Sequence, residues 1–178
     1  QSSRFIAPSA GAFVRWLFLR GLGVVYFMAF RSLRRQVLGL YGKNGISPIH
    51  SVLESLQSRI PDPSRYRLIP SILWINSSDR ALVRFCQLGE LASVALIFNL
   101  APKMSCALLW MLYLSFVSVG QDFLSYQWDV LLLESGLDAI LIAPSGLRPG
   151  LGKVGPSPLM VFLMRWLFFK LHFESALC

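Results

Sequence analysis

The sequence predicts an all-α membrane protein, a polytopic transmembrane helical bundle of about five spans. Three observations carry this reading. Of 178 residues, 54% are hydrophobic and 15% charged, against roughly 25% charged in an average soluble domain. The apolar residues gather in blocks separated by Pro, Gly and Arg. The net charge of +8 would suit nucleic acid in a soluble chain, but basic residues beside apolar blocks set membrane topology instead. Nucleic acid is therefore not an expected partner, and the lipid bilayer is.

The first expected span covers residues 12–30, "AFVRWLFLRGLGVVYFMAF". Arg15 and Arg20 interrupt the apolar core that a cleaved signal peptide needs. Arg20 should lie within the membrane or snorkel out of it. A polar connection over 31–80 follows, with a turn at "YGKNGISPIH" and a short amphipathic helix near "HSVLESLQSRI". Its "PSILWINSSD" is apolar but too short to span. Further spans are expected near 81–100, 105–119 and 126–143, the second of these needing its flanks to reach the roughly 20 residues a bilayer requires. "PSGLRPGLGKVGPSP" reads as a loop, and a fifth span near 159–173 leads into an apolar run at the last residues. A longer parent chain is expected from that ending.

The segment "QWDVLLLESGLDAILIAP" is apolar yet holds Asp129, Glu134 and Asp138. At about 100° per residue, Gln127, Glu134 and Asp138 fall within about 40° of one another, and Asp129 faces the opposite way. The second span carries its own stripe, Arg84, Gln87 and Glu90. A carboxylate at the bilayer centre costs about 2.5–3.5 kcal/mol or more and seeks a partner. The expectation is an interhelical network of Arg20, Arg84, Gln87, Glu90, Gln127, Glu134, Asp138, Arg165 and Lys170, with Asp129 left at the membrane interface. The same acids also suit a proton or ion path, or a catalytic pair. A structural subunit of an organellar membrane complex is a third reading.

Other chemistry has little support. Cys86, Cys106 and Cys178 form no CxxC and no Cys/His cluster, so they read as small hydrophobes and no metal is expected. His50 and His172 have neither nucleophile nor ligand at useful spacing. Gly21 and Gly23 lack the strand context of a dinucleotide site and suit close helix packing. No catalytic residue and no cofactor is expected. Asn76 begins the sequon "NSS", a possible N-glycosylation site. Residues 31–80 hold eight of the 17 basic residues; the positive-inside rule places this connection in the cytosol, whereas glycosylation of Asn76 requires the lumen.

These residues also carry a resemblance. "LRGLGVVYFMAF", "GLYGKNGISP", "IPSILW", "LSFVSVGQDFLSYQWDVLLLESGLDAILIAP" and "RWLFFKLHFESA" occur in order over nearly the whole chain. Together they resemble the lipase maturation factor family. Within the long block, "QWDVLLLESG" makes Trp128, Glu134 and Gly136 the family-motif residues. The resemblance implies a multi-pass protein of the endoplasmic reticulum membrane, with residues 31–80 in the lumen. It implies a non-enzymatic role in folding and dimer assembly, with a secreted homodimeric lipase as client. It also implies a large further portion after the fifth span, associated with client binding. Asp138 departs from a position that many members keep apolar.

Overall fold

A helix of 32 residues, α1 (Ala10–Tyr41), organises the packing. Its buried hydrophobic side chains are Ala12, Leu19, Leu22, Tyr26, Phe30, Leu33, Val37 and Tyr41. From Leu19 onward they recur three or four residues apart, which lines them along one face of a 3.6-residue helix. The structure, a computed structural model, describes residues 10–60, 64–124, 126–150 and 158–177. Among these every regular element is helical. Cys178 and residues 61–63 and 151–157, within two of the expected loops, lie outside the described residues.

After α1 come α2 (Ile49–Arg59), α3 (Ser64–Leu68) and a 3-10 turn at Ile72–Trp74. Helix α4 (Asp79–Ile97) is followed by α5 (Pro102–Val117) and a second 3-10 turn at Gln121–Leu124. Helices α6 (Gln127–Ile142) and α7 (Pro158–Leu177) complete the order. Helix α1 packs most extensively on α4 and also touches α6, while α4–α5, α5–α6 and α6–α7 are neighbours in sequence and in space. Such packing of consecutive elements is the usual arrangement in a compact chain.

The helices fall where apolar blocks were read, with one difference. The first span was expected to end at Phe30, but α1 stays helical to Tyr41. Arg31, Arg34 and Arg35 read as the start of a loop, yet arginine is a good helix former. The buried stripe also continues through them at Leu33, Val37 and Tyr41. By length and composition α1 is able to cross a bilayer, and α5 is a shorter apolar helix. The outward surfaces are apolar as well: Val14, Met28, Leu91, Phe98, Leu141 and Phe168 are each more than half exposed. So many exposed large apolar side chains, spread over several helices, are unusual for a water-soluble monomer.

Small residues bring α1 and α4 together. The ring of Phe30 fills the space beside Gly89, where a Cβ would lie 2.5 Å from ring carbons. Gly23 sits against Ser93 and Ile97, whereas Gly21 faces open space. Ser93 donates its hydroxyl to the Gly89 carbonyl at 2.7 Å, so its polar atom is satisfied within α4. This is the small-residue packing that lets membrane helices approach closely.

The connections are pinned by hydrogen bonds. Ser71 Oγ donates to the Ser115 carbonyl at 2.9 Å, and Ile72 N donates to Ser115 Oγ at 3.1 Å. Ile72–Trp74 is thereby fixed on α5, with Leu73 buried. At the opposite end, Asn99 and Ala101 have φ of 61° and 42° in the α4–α5 turn, a region costly for residues with a Cβ. That turn is held by Asn99 Nδ2 donating to Pro149 O at 2.5 Å and Ala101 N to Leu147 O at 2.8 Å.

Gly89→Ala is expected to destabilise the protein by about 1–3 kcal/mol, the usual cost of overpacking, because the Phe30 ring is fully enclosed. Gly21→Ala should be neutral or slightly stabilising. Thermal unfolding of both variants in one detergent checks the contrast; equal behaviour would show that the α1–α4 contact is looser than described.

Candidate functional site

The polar groups of the bundle lie in four separate places. In the first, Asp129 enters the core from the first turn of α6, at 3% exposure. The Tyr113 hydroxyl of α5 donates to its Oδ1 at 2.5 Å. Asp129 Oδ2 is also buried and has no hydrogen-bond partner among the described residues. The Tyr113 ring meets Tyr26 and Phe30 edge-on, at centroid distances of 5.9 and 5.7 Å. Two further hydroxyls tie α1 to its neighbours: Tyr26 donates to Leu132 O at 3.1 Å and Tyr41 to Gly120 O at 3.0 Å.

The second place is the α1–α4 seam. Arg34 Nε lies 2.9 Å from Glu90 Oε1, and Arg31 Nη1 lies 4.0 Å from Glu90 Oε2. Glu90 therefore meets cations of α1 that were assigned to a loop. Arg84 and Gln87, its expected companions, are exposed.

The third is between α6 and α7, where Lys170 Nζ donates to Glu134 Oε1. Asp138 lies one turn further along α6, half-buried, and Gln127 is exposed at the helix start. Arg165 is exposed beside a groove between α1, α6 and α7.

The fourth is Arg20, which is 8% exposed, with its guanidinium carbon 5.0 Å from the centre of the Trp16 ring. Its three guanidinium nitrogens have no hydrogen-bond partner among the described residues. A cation over an indole face is attracted by the ring quadrupole. Arg20 thus finds an aromatic face, not a carboxylate.

The expected single network is thus divided, and Asp129, expected at the membrane interface, is packed inside the bundle at the start of α6. Read as an interfacial residue, it is the most buried of the three acids of α6, and the Glu134 side departs from the innermost face. The reason is visible in the inward stripe of α6: Asp129, Leu132, Gly136, Ala139 and Ile142. Its spacings of three and four residues mark one helix face, and its small residues mark that face as the packed one. Gly136 lies against the Tyr26 hydroxyl, and a Cβ there would come within 3.2 Å of the Trp110 ring. Of the other family-motif residues, Trp128 is exposed and stacks on Tyr126 at 4.7 Å. Tyr26, Tyr41 and Tyr113 were missed because an isolated tyrosine in an apolar block gives no periodic signal.

Asn76 is exposed in the turn before α4, its Oδ1 accepting from Ser78 N at 3.0 Å. Ser78, the sequon hydroxyl, caps α4 by accepting from Ala81 N. Cys86 and Cys106 are free and buried. Among the described residues no group of three or more His, Cys, Asp or Glu side chains is placed to hold a metal.

Glu134→Gln is expected to lower stability by about 1–3 kcal/mol, less than the ~3–5 kcal/mol of breaking a fully buried pair, because both side chains are partly exposed. The reversed pair Glu134→Lys with Lys170→Glu should recover most of the loss. Detergent thermal-shift measurements on both decide it: a harmless single substitution, or a reversal no better than the single change, would mean the pair does not hold α7 to α6.

Comparison with known proteins follows the same lines. A family model described as the lipase maturation factor transmembrane domain matches residues 13–178. The chain is 38% identical over 172 residues to lipase maturation factor 2 of Gallus gallus, covering 91% of this chain and 24% of that protein. It is 36% identical over 183 residues to lipase maturation factor 2 of Homo sapiens, covering 91% and 25%. To lipase maturation factor 1 of Homo sapiens it is 31% identical over 172 residues, covering 92% and 30%. The chain spans about a quarter of the length of the factor 2 relatives. No solved structure matches. An all-helical protein with apolar outer faces, matched across the whole bundle by a transmembrane-domain family, is a membrane protein of that kind: the chain belongs to the lipase maturation factor family.

Proposed function

We propose that this chain is the membrane portion of a factor that helps secreted homodimeric lipases fold and assemble as dimers in the endoplasmic reticulum. The observation that supports this most directly is the family match over residues 13–178. In this reading α1, α4, α5, α6 and α7 are the five spans, and the larger remainder of the protein carries the client site. The connection from α2 to the start of α4 faces the lumen, where exposed Asn76 is open to glycosylation.

The polar groups act structurally here, as ties between helices. Their distribution supports that role over transport or catalysis. Glu90 meets Arg34, Glu134 meets Lys170 and Asp129 meets Tyr113, three separate contacts on three different seams. A catalytic pair or a proton path needs such groups to converge within hydrogen-bond reach.

Two measurements test the proposal. The full-length protein should restore secreted lipase activity to cells lacking their own factor, by raising the dimeric fraction. Unchanged monomeric, inactive lipase despite good expression would refute the client role. In microsomes, Leu56→Asn, which places a sequon on α2, should give an Endo H-sensitive shift. Absence of that shift, alongside a working luminal control, would put the connection in the cytosol, as its basic residues suggest.

A further inference from the structure

Between α1, α5 and α6 lies a cavity of about 290 Å³, near the lower end of the volumes of small-molecule pockets. Tyr41, Tyr113, Phe123, Tyr126 and Trp128 line it, together with Asp129. The Tyr126 and Trp128 rings stack at 4.7 Å, and Tyr41 meets Phe123 edge-on at 6.3 Å. Trp128 and Tyr126 are 65% and 50% exposed, so the cavity opens beside them.

Asp129 makes this place unusual. It is only 3% exposed. Its Oδ1 is bonded to Tyr113, while the enclosed Oδ2 has no hydrogen-bond partner among the described residues. A buried carboxylate needs a counter-charge or several hydrogen bonds to offset lost hydration. Among the described residues no Lys, Arg or His lines the cavity. Of the basic groups nearest in sequence, Arg31 and Arg34 on α1 are turned to Glu90 on the α4 seam, and Arg35 beside Gln36 is exposed and lies outside the wall. The cavity thus presents a carboxyl group and aromatic faces, with no basic side chain among the described residues of its wall.

We propose that this cavity binds a small organic ammonium group, with Asp129 as its counter-charge and Trp128, Tyr126 and Phe123 as its aromatic wall. Aromatic faces attract ammonium cations through the ring quadrupole, and quaternary ammonium is the type of ligand that aromatic cages select. A metal ion fits less well, because hard cations demand six or more oxygen ligands, and beside the one carboxylate the wall offers only Ser32, Gln36 and tyrosine hydroxyls, those of Tyr41 and Tyr113 already committed to Gly120 O and Asp129. The ammonium belongs either to a choline-type lipid headgroup or to a free soluble amine. The site does not depend on the lipase-client reading.

The test is saturation-transfer NMR with tetramethylammonium, using the full-length protein in an uncharged maltoside detergent. Wild type should show saturable transfer to the N-methyl protons. Asp129→Asn, which keeps the side-chain shape, should weaken binding at least tenfold, and Trp128→Leu at least threefold. Trp128 is exposed, so its variant keeps the fold and decides the matter if Asp129→Asn does not. No saturable transfer, or equal binding by the variants that fold, overturns the site. Competition then identifies the source. Displacement by short-chain phosphatidylcholine at lower concentration than choline, and not by short-chain phosphatidylglycerol, assigns a lipid headgroup. Equal displacement by choline and phosphatidylcholine assigns a free ammonium compound.

Discussion

Helices in a bilayer gain little by hiding apolar surface, because the lipid tails outside are as apolar as the leucines inside. What remains is close fit and hydrogen bonding, and one face of α1 supplies both. Phe30 seats its ring against Gly89 of α4, and Tyr26 lies against Gly136 of α6. The Tyr26 hydroxyl donates to a carbonyl of α6, that of Tyr41 to the Gly120 carbonyl just after α5, and Tyr113 reaches Asp129 from α5. Such interhelical bonds average only about 0.6 kcal/mol in membrane proteins. Their effect here is to fix the rotation and depth of helices that apolar contact alone would leave free to slide.

The ion pairs are arranged around this frame. Glu90 joins Arg34 on the α1–α4 seam, and Glu134 joins Lys170 on α6–α7. Helix α7 packs on α6, and the Glu134–Lys170 contact lies on that seam. Arg20 and Asp129 are buried charges handled differently, one over an indole ring and the other under a tyrosine hydroxyl. They lie far apart along α1, since the Asp129 cavity includes Ala29 and Leu33. Nine residues of helix, from Arg20 to Ala29, are about 14 Å. Each therefore needs its own compensation.

The places of α4, α5, α6 and α7 were legible, with ends displaced by up to about four residues, because each apolar block is bounded by Pro, Gly or charge. The continuation of α1 was not, since Arg31, Arg34 and Arg35 look like a loop when polarity alone is the guide. The inner face of α6 was misjudged for a related reason. Its polar residues were assumed to face inward, but in lipid the interior is marked by small residues as much as by polar ones. Gly136 and Ala139, read with Asp129 and Leu132, would have revealed it. That Glu134 and Lys170 lie together was foreseeable as one of several pairings; that Glu90 belongs to Arg34 required knowing that α1 extends beyond Phe30. The family resemblance needed only sequence order, and the matches over about nine-tenths of the chain carry it.

The dependence of the bundle on the tyrosine hydroxyls is open to a direct measurement. Thermal or denaturant unfolding of Tyr26→Phe, Tyr41→Phe and Tyr113→Phe in a common detergent would report each bond, with exposed Tyr66→Phe as control. Tyr113→Phe is expected to cost most, about 1–3 kcal/mol, because it leaves a buried carboxylate without its donor. The other two should cost about 0.5–1.5 kcal/mol each, and the control close to nothing. If all three core variants unfold with the wild type, or the control loses as much as they do, the hydroxyls do not hold this bundle in place.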